Sequence, residues 1–338
     1  MAHELDFSTG EAAFAYAGDK AWHGLGNELE TGASIETWAK MAHMDWEIFR
    51  TAVKFDVVRD KPLIEGEVSN ASGGMFMDTL MYPDKNVLYR SDTNAPLSVV
   101  SSSYNIVQPI EVLEFYRDLV ESAGLELETA GVLFGGRRFF ALANTKKMTV
   151  LLGDDKVKGY LLLTTSCDGT LSTTAQFTSV RVVCFNTLSV AVKDNNTRIK
   201  VPHNRIWKPN EVKEQLGFID AGWERFSEQI GLLAAKTVER DKAVQYLIEL
   251  FGDPTIGIDD QNPAVKQKCA NVWSLFIGEG MGSKLLSAED TMWGLLNSVT
   301  ETIDHHTGHR TADAKVNNSQ YGAGAALKTK AFELALQI

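Results

Sequence analysis

Between residues 131 and 208 the chain reads as a run of extended segments broken by two glycine turn dipeptides. This run constrains the fold more than any other feature. Gly131-Val-Leu-Phe-Gly-Gly-Arg-Arg-Phe-Phe-Ala-Leu-Ala143 predicts two strands folded back about Gly135-Gly136. Gly159–Ser166 predicts another strand, and Asp168-Gly169 predicts a hairpin into extended segments at 170–177 and 179–184. Phe185–Val192 is expected to enter a helix.

At about residue 209 the periodicity changes. Val212, Leu216, Ile219, Trp223, Phe226, Ile230 and Leu233 recur at a 3.5-residue period over three heptads. Further helices are expected over 243–251, stopped by Gly252 and Pro254, from a Ser287 cap through Val299, and over 325–336. Strands followed by helices predict an α+β fold: an antiparallel β-sheet core with helices packed on it and a mostly helical C-terminal part. We divide the chain into an α+β core with a basic central β region (1–208) and a helical region (209–338). The heptad-like seam packs on the chain's own core or forms an oligomer interface, the former being the default for amphipathic helices.

The first part is more irregular. Ser34 is expected to cap a helix to Met44, with short strands at 46–49 and 53–58 and a polar loop or hairpin over 66–85. Residues 87–92 and 98–107 read as extended, and Pro109 starts a helix.

Charge separates function classes. The 338 residues carry 33 Lys+Arg against 44 Asp+Glu, net −11, which argues against coating duplex DNA over the whole surface. Twelve of those cations but only four of those acids lie in 131–208, a local balance of +8. Arg137, Arg138, Lys156, Lys158, Arg181, Arg198, Lys200 and Arg205 are therefore the candidate nucleic-acid-binding residues, with Phe139, Phe140, Tyr160 and Trp207 as candidate stacking faces. No apolar run is long enough to span a bilayer and the N-terminus lacks a signal-peptide pattern, so a cytoplasmic protein is expected. Cys167, Cys184 and Cys269 lack disulfide-scaffold or metal spacing.

The chemical motifs are weak. Gly278-Glu-Gly-Met-Gly-Ser-Lys284 lacks the order and preceding strand of a phosphate loop and reads as a loop between helices. Glu301, Asp304, His305, His306 and His309 cluster, but without metalloprotease spacing they read as a solvated helix end. Cys184 would need His203 and an acid beside it to act as a nucleophile, and core packing is the expectation. No catalytic residue, metal site or cofactor is assigned.

Six stretches together resemble a known family. They are Asp168-Gly169, Ser179-Val-Arg-Val-Val-Cys-Phe-Asn-Thr-Leu188, Trp22-His-Gly-Leu-Gly26, Ser103-Tyr-Asn-Ile-Val-Gln-Pro109, Thr291–His305 and Gly322–Lys328. They resemble the phage- and plasmid-borne family catalogued as domain of unknown function 932. Phe185 and Cys167 depart from its pattern, where a polar residue and a histidine are expected. The resemblance implies a mobile-element setting and transfers no catalytic residues. The strand-then-helix order is also similar to the core of single-strand annealing proteins of the Rad52 type, a fold-level analogy.

The leading expectation is a non-enzymatic single-stranded nucleic-acid-binding protein, an oligomeric annealing factor, with DNA favoured over RNA. The alternatives are an interaction protein that modulates a host defence enzyme and a metal-dependent hydrolase or nuclease using Glu301, Asp304 and the histidines.

Overall fold

The computed structural model describes residues 6, 10–18, 26–59, 76–181, 183, 186–189, 198–216, 219–308, 318–319 and 322–338. Two sheets and a helical layer make an α+β fold. The large sheet has the order β10-β9-β8-β7-β6-β1-β2, with β11 also paired to β9. Its strands are β1 (Phe14–Ala17), β2 (Asn27–Leu29), β6 (Glu126–Leu133), β7 (Arg138–Leu151), β8 (Asp155–Ser166), β9 (Thr173–Arg181), β10 (Asn186–Ser189) and β11 (Arg198–Val201). All pairs are antiparallel except β1 with β2.

The glycine dipeptides do what their chemistry allows. Gly135 and Gly136 both take positive φ between β6 and β7, and Gly169 does so between β8 and β9. Of the extended runs expected at 170–177 and 179–184, residues 173–181 form the single strand β9, and 182 and 184 lie outside the described residues. Residues 186–189, expected to begin a helix, instead form β10. Their backbone pairs with Thr178–Arg181 of β9, so an open sheet edge outweighs local helix propensity.

One face of the sheet carries Val157, Leu161, Leu163, Ala175 and Phe177, all buried. Helix α2 (Pro109–Ala123) packs Val112, Leu113, Phe115 and Tyr116 into the core on this face, and the Tyr116 hydroxyl lies 2.8 Å from the Ala141 carbonyl. Helix α4 (Ile219–Ala235) buries Trp223, Phe226, Ile230 and Leu233 in a second cluster with Val157 and Phe177. Its apolar stripe thus covers its own chain's sheet. The seam read as continuous from Val212 is divided, because Val212 sits in α3 (Pro209–Leu216) and belongs to the first core. Helices α5 (Arg240–Phe251), α6 (Pro263–Ser274), α7 (Met292–Glu301) and α8 (Ala323–Gln337) complete the second cluster.

Ser34 caps α1 (Ile35–Met41), accepting the Thr37 amide at 3.2 Å. Ser287 caps nothing: α7 starts at Thr291, whose hydroxyl accepts the Gly294 amide at 3.1 Å.

The second sheet, β3-β4-β5, is an arm. Strand β3 (Ile48–Arg59) pairs along its length with β4 (Phe76–Arg90), and β5 (Pro96–Ser101) covers only the inner half of β4. Of the loop or hairpin expected over 66–85, residues 76–85 are strand paired antiparallel to β3, which is the hairpin alternative, and 66–75 lie outside the described residues. The expected extended stretch at 98–107 ends at Ser101. Gln108 fixes the base of the arm through the Ile48 amide (2.8 Å) and carbonyl (3.1 Å). Arg90 fixes it too: buried over the Trp46 ring, it binds both Asp92 and Asp6. No helix among the described residues is long and apolar enough to cross a membrane.

Candidate nucleic-acid interface

Strand register decides where the eight candidate cations stand. Arg138, Lys156, Lys158, Arg198 and Lys200 all fall on the sheet face opposite the helices, given the pairs Arg138↔Ser166, Lys158↔Val180, Arg198↔Gln176 and Lys200↔Thr174. Arg181 falls on the helix face, and Arg137 and Arg205 lie in turns. The shared face is no continuous groove. Leu162, Thr164 and Gln176 in its middle are buried. Ten residues of β8 separate Lys156 from Ser166, the partner of Arg138, or roughly 33 Å. The cations therefore form two groups at opposite ends of the sheet, with Arg198 between them.

The end at the Asp168 hairpin is tightly organised. Asp168 Oδ1 accepts the Thr170 amide at 3.0 Å and hydroxyl at 2.6 Å. Burial pushes the Asp168 carboxyl up in pKa, but these bonds, Ser166 and the charge of Arg138 outweigh it and hold the carboxyl below its ordinary value. Arg138 is buried, lies over the Phe134 ring and donates to the Thr170 hydroxyl at 2.9 Å. Tyr104 donates its hydroxyl to the Ser166 carbonyl and stacks on His203 with ring centroids 4.5 Å apart. His203 places one ring nitrogen 3.0 Å from the Asn105 carbonyl and the other 3.0 Å from that of Leu171. Three loops, at 103–105, 166–171 and 202–205, are thereby clamped together.

This clamp displays exposed cations. Arg137 opens beside the hairpin, and Lys200 and Arg205 follow on β11 and the turn after it. Three strand spacings separate β7 from β11, about 14 Å. Lys200 and Arg205 line a cavity of about 230 Å³ together with Lys208 and Glu211. Lys208 pairs with Glu211 at 2.6 Å, both side chains well exposed, a contact that a phosphate can replace at little cost. Ile206 beside it is 71% exposed. Lys208 belongs to the basic block, and only the cavity brings it to Lys200 and Arg205.

At the opposite end the candidates are partly spent. Lys156 pairs with Asp154 at 3.1 Å, and Lys158 is half-buried. Arg181 is 2% exposed and locked on Asp155, so it leaves the surface and serves the fold. Arg198 lies near enough to Lys328 to disfavour its charge; burial is the larger cause of the lowered Lys328 pKa, and Asp304 opposes both. Of the candidate stacking aromatics, Phe139, Tyr160 and Trp207 are buried and Phe140 is half-buried. They fill cores rather than offer faces.

The C-terminal motif is likewise engaged. Glu301, 3% exposed, accepts the Met281 amide at 3.1 Å and faces His306 at 3.6 Å. Asp304 binds Lys328 at 2.6 Å and the Ser319 hydroxyl. Among the described residues no group of three or more His, Cys, Asp or Glu is arranged to hold a metal ion; His309 lies outside them. So does Cys184, and its expected partner His203 is held by carbonyls. Trp22–Leu25 also lie outside the described residues. The Gly278–Lys284 segment begins inside a π-helical turn (Leu275–Glu279), not after a strand, and packs against Arg181, whose Nη2 donates to the Gly282 carbonyl at 3.2 Å.

An α+β protein with a clamped, cation-bearing sheet end is the class that fold and site define. Residues 96–323 match the model of a family described as a domain of unknown function, DUF932, and the chain belongs to that family. No curated protein and no solved structure matches.

Proposed function

We propose that the protein binds single-stranded nucleic acid, DNA in preference to RNA, and works in the cytoplasm as a non-enzymatic annealing factor of a mobile element. The observation that carries this reading is the convergence of exposed Lys200, Arg205 and Lys208 on one cavity, with exposed Arg137 at the same end of the sheet. Each cation placed on a phosphate releases a condensed counterion. With the nearby aromatics buried, base stacking adds little, so binding follows the backbone and is insensitive to sequence. With −11 for the whole chain and +8 in residues 131–208, the remainder carries −19, which repels a duplex from the rest of the surface and confines contact to this end.

Fluorescence anisotropy of labelled single strands at several salt concentrations tests this. Binding that weakens steeply with salt and is lost in a Lys200→Glu, Arg205→Glu variant supports the reading. No binding at low salt overturns it.

A further inference from the structure

The arm formed by β3, β4 and β5 has two chemically different faces. On one, the cross-strand pairs are Phe49–Tyr89, Thr51–Val87, Val53–Tyr82, Phe55–Leu80, Val57–Asp78 and Arg59–Phe76, and Val99 of β5 stands beside Val87. On the other, the outer pairs are Lys54–Met81, Asp56–Thr79 and Val58–Met77, which set the polar Lys54, Asp56 and Thr79 among the exposed Met77, Met81 and Val58 and carry no aromatic ring. Period-2 alternation of this kind predicts that the first face is covered. In the folded chain it is not: Phe49, Phe55, Leu80, Tyr82 and Val99 are 43%, 45%, 47%, 49% and 60% exposed.

We propose that this face is covered by the same face of a second copy of the chain. Its area fits. With about 200 Å² for a whole aromatic residue, the five exposed residues leave roughly 450 Å² in water, and their half-buried neighbours bring the face to on the order of 700 Å². Stable interfaces need about 800 Å² per partner, so the arm face approaches that alone.

Its charge fits as well. On the outer half of the face the ionised groups are Arg59 and Asp78, which neutralise each other through Nε–Oδ2 at 2.5 Å and Nη2–Oδ1 at 2.7 Å; on the inner half Lys85, paired with Ser101 and two residues from Val87, shares the face. The neutral, apolar outer half offers nothing to steer a charged partner or an anionic lipid. It matches a surface that is itself neutral, apolar and sheet-shaped, and a second arm is such a surface. Two twisted sheets packed face to face about a two-fold axis bury both copies and close the assembly. This interface is independent of the nucleic-acid end and stands or fails without it.

Light scattering after size exclusion, at tens of micromolar protein, reads the result on the full chain. The wild type is expected at twice the 37.2 kDa chain mass. A Phe55→Lys, Leu80→Lys variant is expected at one chain mass with unchanged circular dichroism, its dimer dissociation constant raised at least tenfold. A wild type that stays at one chain mass overturns the proposal, and so does a folded variant that keeps the double mass. If the variant misfolds, amide exchange on the wild type decides. Protection over 76–82 that rises with protein concentration upholds the interface, and concentration-independent exchange overturns it. Flotation of monomeric wild type with phosphatidylcholine vesicles would assign the face to lipid instead and overturn the second copy as its occupant.

Discussion

Arg181 and Asp155 form a buried ion pair between neighbouring strands, with Nε 2.8 Å from Oδ1 and Nη2 2.8 Å from Oδ2. Asp155 also accepts the Ser287 hydroxyl at 2.6 Å and the Trp293 indole N–H at 3.0 Å. One carboxylate thus ties the large sheet to the C-terminal helices. Removing one partner leaves the other charge buried and uncompensated. Arg181→Ala or Asp155→Ala is expected to cost about 3–5 kcal/mol, read by urea unfolding. A cost under about 1 kcal/mol would mean that water reaches the pair.

Trp223 of α4 lies against Gly159 of β8. A Cβ at Gly159 would stand 2.9 Å from the Trp223 ring and 3.0 Å from the Thr145 hydroxyl. Gly159→Ala is expected to push the helix off the sheet at a cost of about 1–3 kcal/mol. Thermal unfolding followed by tryptophan fluorescence checks it, and an unchanged midpoint contradicts the packing.

Cys167 is buried, and burial, then the Asp168 charge, push its thiol up to about 12. Burial likewise raises Cys269. The thiolate is the reactive form. Iodoacetamide at pH 8 is expected to leave both unmodified in the folded chain and to alkylate both in urea, as read by peptide mass spectrometry. Rapid native labelling of Cys167 would refute its burial.

Asp168 and Asp92 both hold their carboxyls below the ordinary value. Asp92 does so mainly through its bonds to Arg90, against the opposing effect of burial; at Asp168 the hairpin bonds and Arg138 outweigh a larger burial effect. For a folded pKa below the unfolded one, the stabilisation is complete above the unfolded value of about 3.9. It is lost as pH falls through the folded value. Stability is expected to fall from about pH 5 downward, and Asp168→Asn to flatten that limb. An acid limb unchanged by Asp168→Asn would remove it as a contributor.

What the sequence made legible was local. The Gly135-Gly136 and Asp168-Gly169 turns, the Ser34 cap and the Pro109 helix start each depend on a few neighbouring residues, and each is found in the structure. What it hid was non-local. Ser287 resembles a helix cap, but its hydroxyl is taken by Asp155, 132 positions away. Residues 66–85 read equally as loop or hairpin, and pairing with β3 decides for strand at 76–85. The basic block was visible as charge, yet register turns Arg181 to the helix face and parts Lys156 and Lys158 from Lys200, while Arg138 is buried against the Phe134 ring and Thr170. The cavity that adds Lys208 is made by β11 and α3 meeting, which no spacing in the chain announces.

The most direct measurement is the salt slope of single-strand binding for three proteins: the wild type, a Lys200→Ala, Arg205→Ala, Lys208→Ala variant, and a Lys156→Ala, Lys158→Ala variant. Each lost phosphate contact lowers the slope of log K against log salt by about 0.7 for a single strand. The first variant is expected to bind weakly with a slope about 2 smaller, and the second to match the wild type. Equal slopes in wild type and first variant, or a loss confined to the second, would contradict an interface at the Asp168 end of the sheet.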